Sequence, residues 1–167
     1  MKYKVSKVKK ELPLEAEQEL PEPGASGVVG DYLRESAAME PPPAATPARL
    51  IQAINQGLPF QELDALQEGL AIPMDRLASR LGISKATLHR RKAAGRLDPQ
   101  ESDRVVRFAR LLGKATEVLE SGDNARRWLS SPQVGLGGAV PLDYAETEIG
   151  AREVEDLLGR IEFGVYS

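Results

Sequence analysis

At 167 residues, the chain is long enough for one good core or two small ones, since compact domains commonly run to about 100–150 residues. It has no cysteine and one histidine, which excludes disulfide and thiolate chemistry and leaves a zinc site almost no ligands, so neither a metal nor a cofactor is expected. The net charge of −3 hides a segregation: ten basic residues face three acidic ones between Arg76 and Arg110, whereas five basic residues face ten acidic ones from Leu111 to Ser167, so the two regions attract different partners.

Residues 1–47 read as an arm rather than a domain, because their Lys-rich, Glu/Pro-rich and Pro-Pro-Pro stretches bury little apolar surface. The basic opening is not followed by the apolar stretch of a signal peptide, and no run of about 18 apolar residues occurs anywhere. A cytoplasmic protein without membrane contact is expected. Within the arm, Ser26 is placed to cap a short helix over 28–39, with Val29, Tyr32 and Leu33 on one face; packing against a second subunit or a partner would order it.

Thr46-Pro47 sets a capping hydroxyl before a first-turn proline, and Leu50, Ile51 and Ile54 form a helical stripe that stops at Gly57, predicting a helix from Pro47 to Gln56. Pro59 repeats the start signal, Phe60, Leu63 and Leu66 follow at spacing three, and Gly69 supplies a stop. Next, a helix runs from Pro73 into Gly82 and a second restarts at Ser84, which is helix-turn-helix spacing. Small Ala78 permits close approach of the pair, Gly82 permits positive φ, and Leu77, Leu81, Ile83 and Leu88 turn inward. Lys85, Ala86, His89 and Arg90 then face outward, where a recognition helix meets the major groove.

By chemical type, Lys85 and Arg90 suit guanine O6/N7, Ser84 and His89 suit bases or phosphate, and Ala86 suits a thymine methyl. Arg80, Thr87, Lys92 and Arg96 suit phosphates. Two helices joined by glycine also occur in bundles that bind no DNA, and a basic run also suits a solvated helix face. Arg91 stands where such motifs often carry an apolar residue, which predicts a shallower or tilted second helix.

Asp98-Pro99-Gln100-Glu101 combines a cap, a first-turn proline and a capping-box glutamate ahead of an apolar helix. Arg104, Arg107 and Arg110 form a stripe beside the apolar one, open either to DNA or to the acidic C-terminal third. Asp123 is placed to cap a helix through Leu129. Leu136-Gly137-Gly138 lacks the lysine and hydroxyl of a phosphate-cradling loop. Thr147 starts the last helix, with Val154, Leu157, Leu158 and Ile161 as its buried stripe. Trp128, the sole tryptophan, reads as core more readily than as a binding anchor.

The pattern Trp128-Leu129, Pro132, Leu136-Gly137-Gly138, Pro141-Leu142-Asp143, Thr147-x-x-Gly150, Val154-x-x-Leu157-Leu158-x-x-Ile161 and Gly164 resembles the toxin-binding domain of the Xre/MbcA/ParS antitoxins. The stretch from Ile83-Ser84 to Leu97, with Ser102-Asp103-Arg104, is similar to their Xre-type DNA-binding part. The resemblance spans about Leu63 to Ser167. It implies an all-α chain with an Xre/Cro-like helix-turn-helix domain over 48–113 and a small helical toxin-binding domain over 114–167.

It also implies a non-enzymatic antitoxin of a RES–Xre pair, which covers the NAD-binding pocket of a RES-domain toxin that degrades NAD⁺ and represses its own operator. The partners are then the toxin, operator DNA and a second copy, as a homodimer or a higher assembly with the toxin. The expected toxin contacts are Trp128, Leu136, Gly137, Gly138, Pro141, Leu142, Phe163, Gly164, Tyr166 and Ser167, the last two nearest the blocked pocket. A free-standing dimeric helix-turn-helix regulator is the alternative.

Overall fold

The computed structural model describes residues 27–35 and 46–164. Among them the secondary structure is helical, with two isolated β-bridges and no strand. The helices are α1 (Val28–Glu35), α2 (Pro47–Gln56), α3 (Phe60–Leu70), α4 (Met74–Arg80), α5 (Lys85–Ala94), α6 (Pro99–Val118), α7 (Gly122–Leu129), α8 (Pro141–Tyr144) and α9 (Glu148–Glu162), with a 3₁₀ turn at Val134–Leu136. The expected all-α class is therefore observed. No described helix is long and apolar enough to cross a membrane.

Local rules account for most helix ends. Asp98 and Glu101 form the full capping box: the Glu101 amide donates to Asp98 Oδ1 at 2.8 Å and the Asp98 amide to Glu101 Oε2 at 2.9 Å. Thr147 Oγ1 accepts from the Gly150 amide, as its position predicts. Three expected signals fail. The Thr46 side chain makes no cap bond, and Pro47 at the first position starts α2 without it. Gly69 stays inside α3, which ends on left-handed Ala71. Ser121, not Asp123, caps α7, its hydroxyl accepting from the Asn124 amide.

Helix α6 has twenty residues, about 30 Å at 1.5 Å per residue, and is the spine. It packs against α1, α2, α3, α7 and α9. Phe108, Leu111 and Leu112 on α6 join Leu63, Leu66 and Leu70 of α3, and Leu129, Val154 and Leu158 beyond, in one continuous buried cluster. The expected boundary at 113/114 thus falls inside an unbroken helix. A buried hydroxyl ties the spine to the α2–α3 turn: Ser102 Oγ accepts from the Leu58 amide at 2.8 Å and donates to the Asp98 carbonyl at 2.6 Å.

The arm contributes more than its composition predicts. Val29 of α1 is fully buried, and the buried Glu62 carboxylate accepts the Val28 and Val29 amides at 2.8 and 2.9 Å. A carboxylate from α3 thereby satisfies first-turn amides that α1 cannot bond internally. Gly27 makes room, since a Cβ there would lie 2.0 Å from Glu62 Oε1. Ser26 and the predicted residues beyond Glu35 lie outside the described residues.

Candidate functional site

The basic segment folds as the helix-turn-helix its spacing predicts. Leu77, Ala78, Leu81 and Ile83 are buried at the α4–α5 junction, and the Ile83 amide closes the turn on the Ala78 carbonyl at 2.8 Å. Gly82 sits at φ +66, a left-handed conformation that a Cβ would strain. Arg104 Nη1 donates to the Leu81 carbonyl at 2.8 Å, bracing the turn from the spine. Ser84 caps α5, accepting from the Thr87 amide at 3.2 Å while its own hydroxyl donates to Thr87 Oγ1 at 3.0 Å.

Helix α5 buries none of its residues fully, so its polar side chains are held out by a short, well-seated element. Lys85, Ala86, His89, Arg90 and Lys92 are all exposed, and Thr87 half-buried. Lys85 lies 3.6 Å from the Asp75 carboxylate, with both side chains largely exposed; such a pair is worth little and leaves Lys85 available.

Two of the expected phosphate ligands also make contacts within the protein. Arg80 Nε donates to Asp143 Oδ1 at 2.6 Å, so its guanidinium joins α4 to the C-terminal region. Arg96 Nη1 donates to the Gln56 and Gly57 carbonyls at 3.1 and 2.9 Å, closing the end of α2. The question left open by the arginine stripe is also answered. Arg107 pairs with Glu148 at 3.0 Å, Arg110 with Glu155 at 2.5 Å and Lys114 with Glu162 at 2.7 Å, so the stripe beyond Arg104 meets α9. These cations hold the two halves together.

Arg91 explains its own irregularity. In place of an apolar contact it makes an ionic one, Nε to Glu101 at 2.7 Å and Nη2 to Asp98 at 2.6 Å, fastening α5 to the first turn of α6. The Glu101 hydrogen bond leads in raising the Arg91 pKa, against the opposing effect of burial, so the side chain stays charged. The helix is seated by this ionic contact and buries none of its residues fully, in line with the shallower packing its sequence suggests.

The acidic third forms a second surface. The knuckle Gln133–Ala139 is closed by the Gln133 amide on the Ala139 carbonyl at 3.0 Å and the Gly138 amide on the Gln133 carbonyl at 2.9 Å. Gly137 and Gly138 are exposed at φ +65 and +87. Leu136, Pro141 and Leu142 are buried, which corrects their expected role as direct partner contacts: they seat the knuckle and α8 on the core. Trp128 is half-buried against that core and edges an open groove with Leu119, Asn124, Arg127 and Ser131. Phe163 is exposed beside Gly164. Tyr166 and Ser167 lie outside the described residues.

Sequence reasoning missed Val134 and Ile149, which are 96% and 79% exposed. In the fold Leu136 is the anchor and Val134 the tip. Among the described residues no cluster of three or more His, Cys, Asp or Glu is placed to hold a metal ion.

Comparison with known proteins divides the chain at the same place as its charge. Residues 49–110 match the antitoxin Xre-like helix-turn-helix domain, and residues 114–164 match the antitoxin Xre/MbcA/ParS C-terminal toxin-binding domain. The chain is 37% identical over 128 residues to Antitoxin Xre of Yersinia enterocolitica, covering 75% of this chain and 86% of that protein. Antitoxin Xre of Photorhabdus laumondii is 32% identical over 127 residues, with 75% and 86% covered. The Prs ADP-ribosylating antitoxin of a Sphingobium strain is 28% identical over 133 residues, with 74% and 84% covered.

Proposed function

The chain belongs to the Xre/MbcA/ParS family of antitoxins, and we propose that it neutralises a RES-type, NAD⁺-degrading toxin by capping the mouth of its active site and represses its own operator through α4 and α5. The observation that carries this reading is the separation of surfaces. Helix α5 holds its cationic side chains in solvent, while the acidic C-terminal third, packed beside α6, carries exposed apolar tips. Lys85, Arg90 and His89 read base edges, Ser84, Thr87 and Lys92 take phosphates, and inhibition works by steric occlusion, with no bond made or broken by the antitoxin. A toxin that binds NAD⁺ presents positive potential for the pyrophosphate, which an acidic partner complements, favouring fast association and correct register.

The protein acts in the cytoplasm as a dimer, because one small module seldom suffices for specific binding; half-sites then lie about 34 Å, or a multiple, apart. The knuckle residues Gly137 and Gly138, with Trp128, Phe163, Gly164, Tyr166 and Ser167, line the toxin contact. The relative named as a Prs ADP-ribosylating antitoxin favours a second reading of the partner, a toxin that transfers ADP-ribose from NAD⁺ to a protein. Co-expression of the chain with the product of the gene beside its own, following growth and cellular NAD⁺, tests both. Rescue of growth and of NAD⁺ supports a degrading toxin, rescue of growth from a toxin that leaves NAD⁺ abundant supports the transferase, and no rescue refutes the antitoxin reading.

A further inference from the structure

We infer that Val134, at the tip of the Gln133–Ala139 knuckle, is the apolar anchor of the toxin contact, and that the toxin receives it in an apolar recess. The inference rests on the antitoxin reading above and names where its partner is gripped. Val134 is 96% exposed, yet the loop that carries it is tightly built. The Leu136 amide donates to the Gln133 carbonyl at 3.1 Å and the Gly137 amide to the Val134 carbonyl at 2.9 Å, inside the Gln133–Ala139 closure. Gln133 Nε2 bonds the Trp128 and Ser131 carbonyls at 2.9 and 3.0 Å, fixing the loop to the end of α7.

On its underside, Leu136 is buried and Gly135 lies so close to α9 that a Cβ would stand 2.6 Å from Leu157 Cδ1. Loops usually spend polar residues on solvent; this one spends its hydrogen bonds and its buried leucine on holding a bare isopropyl group in water. A rigid apolar knob loses little conformational freedom when it is gripped, which favours binding into a concave apolar surface. Its occupant is identified by position: the knuckle lies within residues 114–164, the toxin-binding segment, and next to Trp128 and its groove. Nucleic acid would be served by the cationic half instead.

The test uses the full-length chain co-expressed with the tagged product of the adjacent gene, with capture and growth as readouts. Val134→Asp and Val134→Lys are each expected to weaken capture about 100-fold, the scale of losing a central interface anchor, while Val134→Leu stays within about 10-fold and the melting temperature of all three is unchanged. Ile51→Asp, on the 58% exposed α2 position, is expected to capture the toxin like the wild type. Undiminished capture by Val134→Asp overturns the inference, as does equal loss in Ile51→Asp. Tolerance of lysine with rejection of aspartate overturns the apolar recess in favour of an acidic one. If the wild-type chain itself fails to capture or neutralise the toxin, the antitoxin reading falls, and the knuckle assignment with it.

Discussion

Removing the Arg91 guanidinium probes how the recognition helix is held. In Arg91→Met the apolar stem remains, but Glu101, its side chain only 7% exposed, keeps one donor, the Asp98 amide at 2.9 Å, and loses the ion pair at 2.7 Å. Breaking a fully buried pair costs about 3–5 kcal/mol; the Arg91 and Asp98 side chains are 22% and 37% exposed, and solvent screening of that outer half brings the expected loss to about 2 kcal/mol. For a chain of this size that is about 4–8 °C in melting temperature.

Glu101→Gln preserves an acceptor for the Asp98 amide, so a double-mutant cycle isolates the charge contact. The coupling energy is expected at about 1–2 kcal/mol, read from thermal and urea unfolding followed by helical circular dichroism. Coupling near zero would refute the claim that Arg91 replaces the usual apolar seat with an ionic one.

Gly150→Ala is expected to destabilise the C-terminal region severely, by more than 3 kcal/mol in unfolding experiments, because its Cβ would stand 1.7 Å from the Tyr144 carbonyl oxygen; Gly159→Ala, whose Cβ meets nothing within 4 Å, is expected to be neutral or stabilising. Arg90→Ala should cost about 1–3 kcal/mol on the operator and relax base preference, whereas Lys92→Ala should weaken all DNA alike and reduce the salt slope by about one; equal losses on operator and random duplex for both would undo the division into base and phosphate contacts. Burial of Glu148 pushes its pKa up, but the Arg152 hydrogen bond and the charges of Arg107 and Arg110 outweigh it, and the carboxyl titrates below its ordinary value. Stability from this group is therefore complete above the unfolded carboxylate pKa and fades as pH falls through the lower folded value. Glu148→Gln should flatten the acid limb of melting temperature against pH, and an unchanged limb would remove Glu148 from the α6–α9 contact.

What the sequence discloses here is local chemistry. The Asp98–Glu101 box, the Ser84 cap, Gly82 in its turn and Thr147 before α9 each depend on residues three or four apart, and each forms as read. Long-range partners are invisible to that logic. Arg80 and Arg96 look free for phosphate until the fold brings Asp143 and the α2 carbonyls to them, and nothing near Glu62 in sequence announces that it will cap α1. Asp123 loses the α7 cap to Ser121, two residues earlier, although either residue type satisfies the same rule. The toxin-binding segment was legible as a segment but not in its parts: the apolar letters of the Leu-Gly-Gly and Pro-Leu-Asp motifs are buried supports, and the exposed tip is Val134, two residues before the first of them.

The central claim is that the chain carries two separable binding surfaces, joined through α6. Cells carrying the adjacent toxin gene and a reporter under the native promoter, supplied with wild-type chain, Arg90→Ala or Val134→Asp, test it in a single growth-and-reporter measurement. The account predicts that the wild type restores growth and silences the reporter, Arg90→Ala restores growth without silencing it, and Val134→Asp silences it without restoring growth. Loss of both functions in each stably folded variant, or of neither, would contradict it.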